Sequence, residues 1–126
     1  MNNFRNSVLL TLMLGATLSV PASAETTKWG AMALDTQIAE KEPFWGTGAG
    51  DTEQEASDNA MKFCKEAGGK VCKALVTYEQ CAAMAVDGKG KAGWGKSATK
   101  SGAEKQALEG CAKEGCSVVV SDCTNE

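Results

Sequence analysis

The chain has 126 residues, with 13 basic and 16 acidic side chains for a formal net charge of −3, and it contains no histidine. An acidic chain disfavours a nucleic-acid partner, because phosphate contacts need clustered Lys and Arg. The lack of histidine removes the commonest general base and metal ligand. The composition therefore predicts no metal, no cofactor and no nucleic-acid partner, and it disfavours an enzyme.

Residues 1–24 have the pattern of a secretory signal peptide. A short polar start with one arginine precedes an apolar run, residues 7–20, and Ala22-Ser23-Ala24 supplies the small-x-small motif of a cleavage site. The run is too short for a membrane-spanning helix of about 20 residues. We expect cleavage near Ala24, no membrane span in the mature chain, and a periplasmic or secreted protein in which residues 25–126 form a single disulfide-stabilised domain.

The mature chain contains an internal repeat, with copy one at residues 29–80 and copy two at residues 81–123. The segment starting at Trp29 matches the segment starting at Cys81, and Trp45-Gly46 matches Trp94-Gly95. Small residues of a predicted helix recur 47 positions later, as Ala56, Ala60 and Cys64 and then as Ala103, Ala107 and Cys111. Because the order of the matches is kept, we expect the two copies to fold alike.

In each copy the predicted elements are strand, strand, helix and strand. Short apolar runs predict the first strands, and Gly-rich segments starting at Trp45 and Trp94 predict the second strands. Capping-box patterns predict helix starts at Thr52 with Glu55 and at Ser101 with Glu104. The helices should stop near Gly68 and Gly115, before β-branched strands over residues 71–79 and 117–122.

The predicted fold class follows from this order. A duplicated β-β-α-β unit indicates an α+β domain with a mostly antiparallel sheet and two helices on one face. We expect a rough two-fold axis to relate the copies.

Six cysteines allow 15 connectivities, and sequence alone does not choose among them. None of their spacings is the Cys-x2-Cys of zinc or redox sites, so three structural disulfides are expected, each worth about 2–4 kcal/mol. Such bonds persist in an oxidising compartment. If the copies fold alike, the expected pairs are Cys64–Cys72, Cys111–Cys116 and Cys81–Cys123, the last of which would join the two copies.

Candidates for chemistry are few. Asp35 and Asp87 occupy matched strand ends, and together with Glu79 they are the carboxylates that a small cell-wall hydrolase would use. An aspartate at a strand end is more typical of a turn that bonds local backbone. The Gly-rich residues 46–50 lack the spacing of a nucleotide-binding loop, and Asp51 would repel phosphate. We therefore assign no catalytic, cofactor-binding or metal-binding residue.

The aromatic side chains have two possible roles. In so small a domain they are expected mainly in the core, but an exposed group of them would form a binding patch. Trp29 is the first candidate for partial exposure, because it lies near the start of the mature chain. The aromatic residues in question are Trp29, Phe44, Trp45, Tyr78 and Trp94.

The spacing of the repeat is similar to that of a known family. Two units of Trp-Gly, then Ala-x3-Ala-x3-Cys, then Gly-x-x-Cys or Gly-Cys, and a closing Cys resemble the exported bacterial family catalogued as domain of unknown function 4189 (DUF4189). The resemblance covers residues 29–123. It implies export and a disulfide-bonded module, and it implies no particular activity.

These observations favour a small exported, non-catalytic protein-binding module, in particular an inhibitor or immunity-type factor of the cell envelope. Its partner would be another envelope or secreted protein, contacted through the loops at residues 36–43 and 87–91. A rigid disulfide-bonded domain suits this role, because preorganisation lowers the entropic cost of binding. Two alternatives remain open: a small cell-wall hydrolase using carboxylates, and a secreted host-directed effector.

Overall fold

The structure is a computed structural model that describes residues 27–37, 43–112 and 114–125, so the signal peptide expected at residues 1–24 lies outside the described residues. In these ranges no helix is long and apolar enough to cross a membrane. In chain order the elements are β1 (Trp29–Asp35), β2 (Trp45–Gly50), α1 (Glu53–Glu66), β3 (Cys72–Tyr78), β4 (Cys81–Val86), β5 (Ala92–Ser97), α2 (Lys100–Gly110) and β6 (Ser117–Cys123).

The six strands form two three-stranded antiparallel sheets, ordered β2-β1-β3 and β5-β4-β6. In both sheets the register against the last strand shifts at the same place, after Met32 and after Met84, so that Leu75 and Val119 have no direct partner. A matched bulge of this kind is a feature that both copies share. The α+β class, the repeated β-β-α-β order, the antiparallel pairing and the presence of three disulfides are confirmed.

The central strands are apolar on both faces, and this property sets the order of the layers. In β1, Ala31 and Ala33 pack on α1, whereas Met32 and Leu34 point into a core shared with the second sheet. In β4, alternate residues divide in the same way between α2 and the shared core. The layers are therefore α1, first sheet, second sheet and α2. This differs from the expected sheet with both helices on one face, because a strand with two apolar faces must be covered on both.

The second strand of each copy lies directly on the backbone of its helix. A Cβ atom on Gly48 would overlap the backbone of Ala60, and one on Gly93 would overlap Ala107 and Cys111. Glycine in a strand marks this kind of close backbone approach. A single packing contact therefore explains both patterns. The glycines of β2 and β5 let each strand approach its helix, and the Ala-x3-Ala-x3-Cys pattern keeps the helix face small enough for that approach.

The same packing corrects the alignment of the tryptophans. Glycines 46 and 93 pair with Ala33 and Ala85, which places the second strands of the copies 47 residues apart rather than 49. Trp45 is then equivalent to Ala92, and Trp94 to Thr47, so the predicted match of Trp45 with Trp94 is wrong by two residues. Contact with the helix fixes the glycines, whereas the tryptophans point to the opposite face, where the helix does not constrain them.

The first helix cap is confirmed and the second lies elsewhere. The Thr52 hydroxyl accepts a hydrogen bond from the Glu55 N–H at 3.1 Å, as the capping pattern predicts. In α2 the cap is Thr99, whose hydroxyl accepts from the Gly102 N–H at 3.0 Å, so the predicted start at Ser101 is wrong. Thr99 lies 47 residues after Thr52, which is the offset that the glycines require.

Three disulfides close the fold within the described residues. Cys64–Cys72 and Cys111–Cys116 each tie the end of a helix region to the start of the following strand. Cys81–Cys123 joins residues that lie directly opposite each other in β4 and β6. It therefore lies inside copy two and does not join the copies as expected, because antiparallel first and last strands bring together the two ends of a single copy.

One hydrogen bond links equivalent positions of the two copies. The Tyr78 hydroxyl donates to the Asp122 carboxylate at 2.6 Å, and the register of the sheets makes these two residues equivalent. The Tyr78 side chain is buried and lies over Gly30, where a Cβ would collide with the ring. This bond and the shared apolar core hold the two sheets face to face.

The strand-on-helix packing makes a prediction for two glycines that face each other. Gly93→Ala should destabilise the protein by about 1–3 kcal/mol, because the new methyl group meets the α2 backbone. A methyl group at Gly110, in α2, would meet Gly93 and Trp94 only at ordinary van der Waals distances of 3.5–3.6 Å, so Gly110→Ala should be neutral or stabilise by up to about 1 kcal/mol. Urea unfolding of the oxidised proteins measures both changes. Equal effects of the two substitutions would contradict this account of the packing.

Candidate functional site

Asp35 stabilises a loop junction. One of its carboxylate oxygens accepts from the Gln37 N–H at 2.9 Å and the other from the Lys70 N–H at 3.1 Å. These bonds, first that from Gln37 and then that from Lys70, lower the pKa of Asp35 below the ordinary value for an aspartate. A carboxylate held in its charged form by backbone donors is poorly suited to act as a general acid.

Asp87 has the same role in copy two. Its Oδ1 accepts from the Lys89 N–H at 2.7 Å and from the Lys91 N–H at 2.9 Å, which closes the tight loop between β4 and β5. The pKa of Asp87 is lowered, first by the Lys89 bond and then by the Lys91 bond. Both aspartates therefore accept hydrogen bonds from backbone N–H groups of loops, which is the structural role predicted for an aspartate at a strand end.

The structure does not bring the three candidate carboxylates together. Asp35 is the last residue of β1 and Asp87 follows β4, so they belong to different sheets, and they bind different loops. Glu79 lies beyond the opposite end of β3, roughly 20 Å along the strand from the Asp35 end. Glycosidase pairs stand about 5–10 Å apart, so Glu79 cannot pair with either aspartate. Within the described ranges no three cysteine or carboxylate side chains converge on a possible metal position.

A surface groove lies between the edges of the two sheets. We define the β3–β5 groove by Leu75, Thr77, Trp94, Lys96 and Gln106, which line a depression of about 320 Å³. A neighbouring depression of about 540 Å³ shares Lys96 and extends past Glu79 to Trp29. Lys96 therefore joins the two depressions into one continuous surface.

Hydrogen bonds from side chains fix the walls of the groove. The Lys96 ammonium donates to the Thr77 carbonyl at 3.4 Å, which connects the two sheets. The Lys96 N–H donates to the Gln106 side chain at 3.2 Å, so α2 covers this position of the β5 edge. The Thr77 hydroxyl donates to the Glu53 carboxylate of α1 at 2.7 Å. Each wall is thus held by its own helix, and the groove is preformed.

Trp94 is the exposed aromatic residue of the groove. It lies opposite Met84 in β5 and points to the side of the sheet that faces the shared core, but on an edge strand it leaves 48% of its surface exposed. Trp29, the expected candidate, is half-buried in the neighbouring depression, and Tyr78 is buried. Trp45 packs against the shared core.

The repeat supplies an internal comparison for the groove. Three lining residues have similar equivalents in the other copy, since Leu75, Thr77 and Gln106 correspond to Val119, Ser121 and Asn59. As Gln106 does in copy two, Asn59 of α1 bonds the edge strand of its own copy, because its side-chain amide donates to the Ala49 carbonyl of β2 at 2.8 Å. Trp94 and Lys96 correspond instead to Thr47 and Ala49. The scaffold is therefore duplicated, whereas the tryptophan and the lysine are particular to one half.

Of the two loops expected to contact a partner, the structure describes one completely and the other only in part. Of residues 36–43, positions 38–42 lie outside the described residues. Residues 87–91 form the tight loop that Asp87 closes. Exposed apolar side chains also surround the C-terminal end of α1, at Phe44, Phe63 and Val71. That patch borders residues outside the described ranges.

The comparisons with known proteins identify a family and a fold. The model of the family described as "Domain of unknown function (DUF4189)" matches residues 29–123, so the chain belongs to this family. The NMR structure of Rv1813c from Mycobacterium tuberculosis is similar with a TM-score of 0.52 and 21% identity, over 98% of this chain and 97% of that chain. At this identity the similarity shows the fold alone. No curated protein matches the sequence.

The structural role of Asp87 predicts a pH-dependent stability. Because its folded pKa is lowered, its charge stabilises the protein above the unfolded pKa of about 4, and that contribution is lost as the pH falls through the folded pKa. Asp87→Asn should therefore lower the melting temperature at pH 7, and the difference from wild type should shrink towards pH 3. Glu109→Gln, at an exposed position of α2, is the control for loss of one charge. A constant difference at all pH values would contradict this role.

Proposed function

We propose that this member of the DUF4189 family is a non-catalytic module that binds another protein through the β3–β5 groove. The observation that carries the proposal is the half-exposed Trp94 at a position where the other copy has Thr47. The fold accepts a threonine there, so the tryptophan is not required by the packing. A large indole exposed without a packing reason is typical of a contact residue.

The groove has the properties of a protein-binding site. Its walls are fixed by hydrogen bonds to α1 and α2, and disulfides tie both helix regions to their sheets. A preformed surface loses little conformational entropy on binding. An aromatic centre with a polar rim of Thr77, Lys96 and Gln106 also matches the usual composition of protein interfaces.

The geometry does not favour the hydrolase alternative. The pKa values of Asp35 and Asp87 are lowered by backbone donors that hold loops, and Glu79 is too far from both to form a pair. A secreted host-directed effector would use the same groove on a different partner. The inhibitor or immunity-type role and the effector role are both forms of this binding function. The identity of the partner distinguishes one role from the other.

The proposal includes a location outside the cytoplasm. Three disulfides and the absence of a membrane-spanning helix in the described ranges are compatible with an oxidising space. The signal-peptide pattern of residues 1–24 gives the route. We therefore place the mature module in a periplasm or outside the cell.

The binding role is tested by exchanging Trp94 for the residue of the other copy. Wild-type and Trp94→Thr proteins are used to capture proteins from an envelope extract, and each protein retained by wild type is purified for calorimetry. We expect a partner whose Kd rises by about 30-fold or more in Trp94→Thr, because interface tryptophans contribute about 2 kcal/mol or more. Thr47→Ala is the matched control in the other copy and should leave the Kd unchanged.

Two results would overturn the binding role. One is that no purified partner distinguishes Trp94→Thr from wild type, although both variants unfold like the parent protein. The other is that the isolated protein degrades peptidoglycan and loses this activity in Asp87→Asn, which would instead favour the hydrolase.

The location makes a separate prediction about the mature product. Expression of the full chain in a bacterium should yield a periplasmic protein that begins at Glu25 and lacks the six hydrogens lost in forming three disulfides. Intact mass before and after reduction measures both features, and non-reducing peptide mapping checks the pairs. A cytoplasmic product that keeps residues 1–24 and free thiols would contradict it.

A further inference from the structure

Two lysines project towards the β3–β5 groove from opposite walls. Lys73 lies opposite Leu34 in the first sheet, so its side chain is on the face that looks towards the second sheet. Lys96 lies opposite Ala82 on the corresponding face of the second sheet. Both lysines are exposed, and both belong to edge strands.

Lys96 lines the groove next to Trp94, whereas Lys73 lies in β3 two residues before the lining residue Leu75. At one end the Lys96 ammonium contacts the Thr77 carbonyl, and in the middle Trp94 lies beside Leu75. Trp94 and Lys96 are two residues apart on one face of β5, a spacing of about 7 Å that matches alternate side chains of an extended chain, and Lys73 adds a second cation on β3.

The other copy lacks all three side chains. The equivalent positions of the other copy hold Ser117 for Lys73, Thr47 for Trp94 and Ala49 for Lys96. The positive charge is also local, because the chain as a whole has a net charge of −3. These positions thus carry basic and aromatic side chains that their equivalents lack.

The nearby carboxylates determine on which side of Lys96 the surface charge is positive. Glu53 accepts the Thr77 hydroxyl from the α1 side and is engaged within the fold. Glu79 lines the larger depression beyond Lys96. The surface is therefore basic from Lys96 towards Lys73 and becomes acidic on the other side of Lys96. A complementary ligand would lie along the first of these directions.

The geometry points to an acidic, extended segment of the partner protein as the occupant of the β3–β5 groove. One carboxylate binds Lys96, an apolar side chain two residues away packs on Trp94, and a second carboxylate two residues further binds Lys73. This inference rests on the proposed function and names the chemical class of its ligand. Polyanions such as DNA or anionic lipid are the competing ligands, and the test includes them.

The test uses two short peptides of opposite charge. The acidic peptide is acetyl-Gly-Glu-Ser-Leu-Ser-Glu-Gly-amide, and the basic peptide has Lys in place of each Glu. Calorimetry at low salt should show the acidic peptide binding at least about tenfold more tightly, with the difference reduced by salt. Lys96→Ala and Lys73→Ser should each weaken its binding about two- to fivefold, and Trp94→Thr about tenfold or more.

Matched variants separate local charge from net charge. Lys105→Ala removes a positive charge from the exposed side of α2 and should leave the affinity unchanged. Lys96→Glu should reduce the preference for the acidic peptide and improve binding of the basic one. Lys96→Ala, Lys73→Ser and Trp94→Thr each introduce the residue that the other copy carries at the equivalent position, so these three variants should fold.

The results also distinguish this inference from the proposed function. An acidic peptide that fails to bind, equal binding of both peptides, or lysine variants that bind like Lys105→Ala would overturn it. Tighter, lysine-dependent binding of a single-stranded oligonucleotide or of anionic vesicles would overturn it in favour of a polyanion. If the natural partner still depends on Trp94 but not on Lys73 or Lys96, the binding role stands and the acidic segment is wrong.

Discussion

The fold depends on the close contact between a glycine strand and the backbone of an alanine helix. In each copy the glycines of the second strand lie where any side chain would overlap the helix backbone, as at Gly48 against Ala60 and at Gly93 against Ala107. Because the helix lies so close, only small residues can face it from the central strand as well. The larger side chains of that strand, such as Met32 and Met84, must then point away from the helix, and they form the core between the sheets.

This constraint explains which features of the sequence could be predicted. The order of elements, the antiparallel pairing and the alanine faces of the helices follow from patterns that the packing imposes on neighbouring residues. The match of the two tryptophans is wrong because it follows two identical residues instead of the glycines, and the second cap is wrong because the capping-box pattern of Ser101 and Glu104 lies inside the helix. A uniform offset of 47 from the glycines through the helix would have found Thr99 as the cap and paired Trp94 with Thr47.

Other features were beyond the sequence for a physical reason. The two-sheet layering depends on which face of β1 and β4 meets which neighbour, and both faces are apolar, so the pattern alone gives no direction. The β3–β5 groove joins edge strands of different sheets, and no local spacing reports that Lys96 reaches the Thr77 carbonyl. The exposure of Trp94 follows from its place on an edge strand, whereas the sequence favours the core for most aromatic residues and indicates Trp29 as the first candidate for exposure.

A duplicated fold separates structural requirements from additional ones. Positions where both copies carry the same class of residue, such as Thr77 and Ser121, reflect what the scaffold needs, because each copy meets the same contacts. Exposed positions where the two copies carry different classes of residue are not constrained by the packing of the scaffold. Cys81–Cys123 is a buried difference, because it adds a covalent bond between β4 and β6, whereas Trp29, the equivalent of Cys81, has no paired residue in β3. Trp94 and Lys96 are differences of the same kind, but they lie on the surface that two sheet edges form together, where a change in side chains alters recognition and leaves the packing intact.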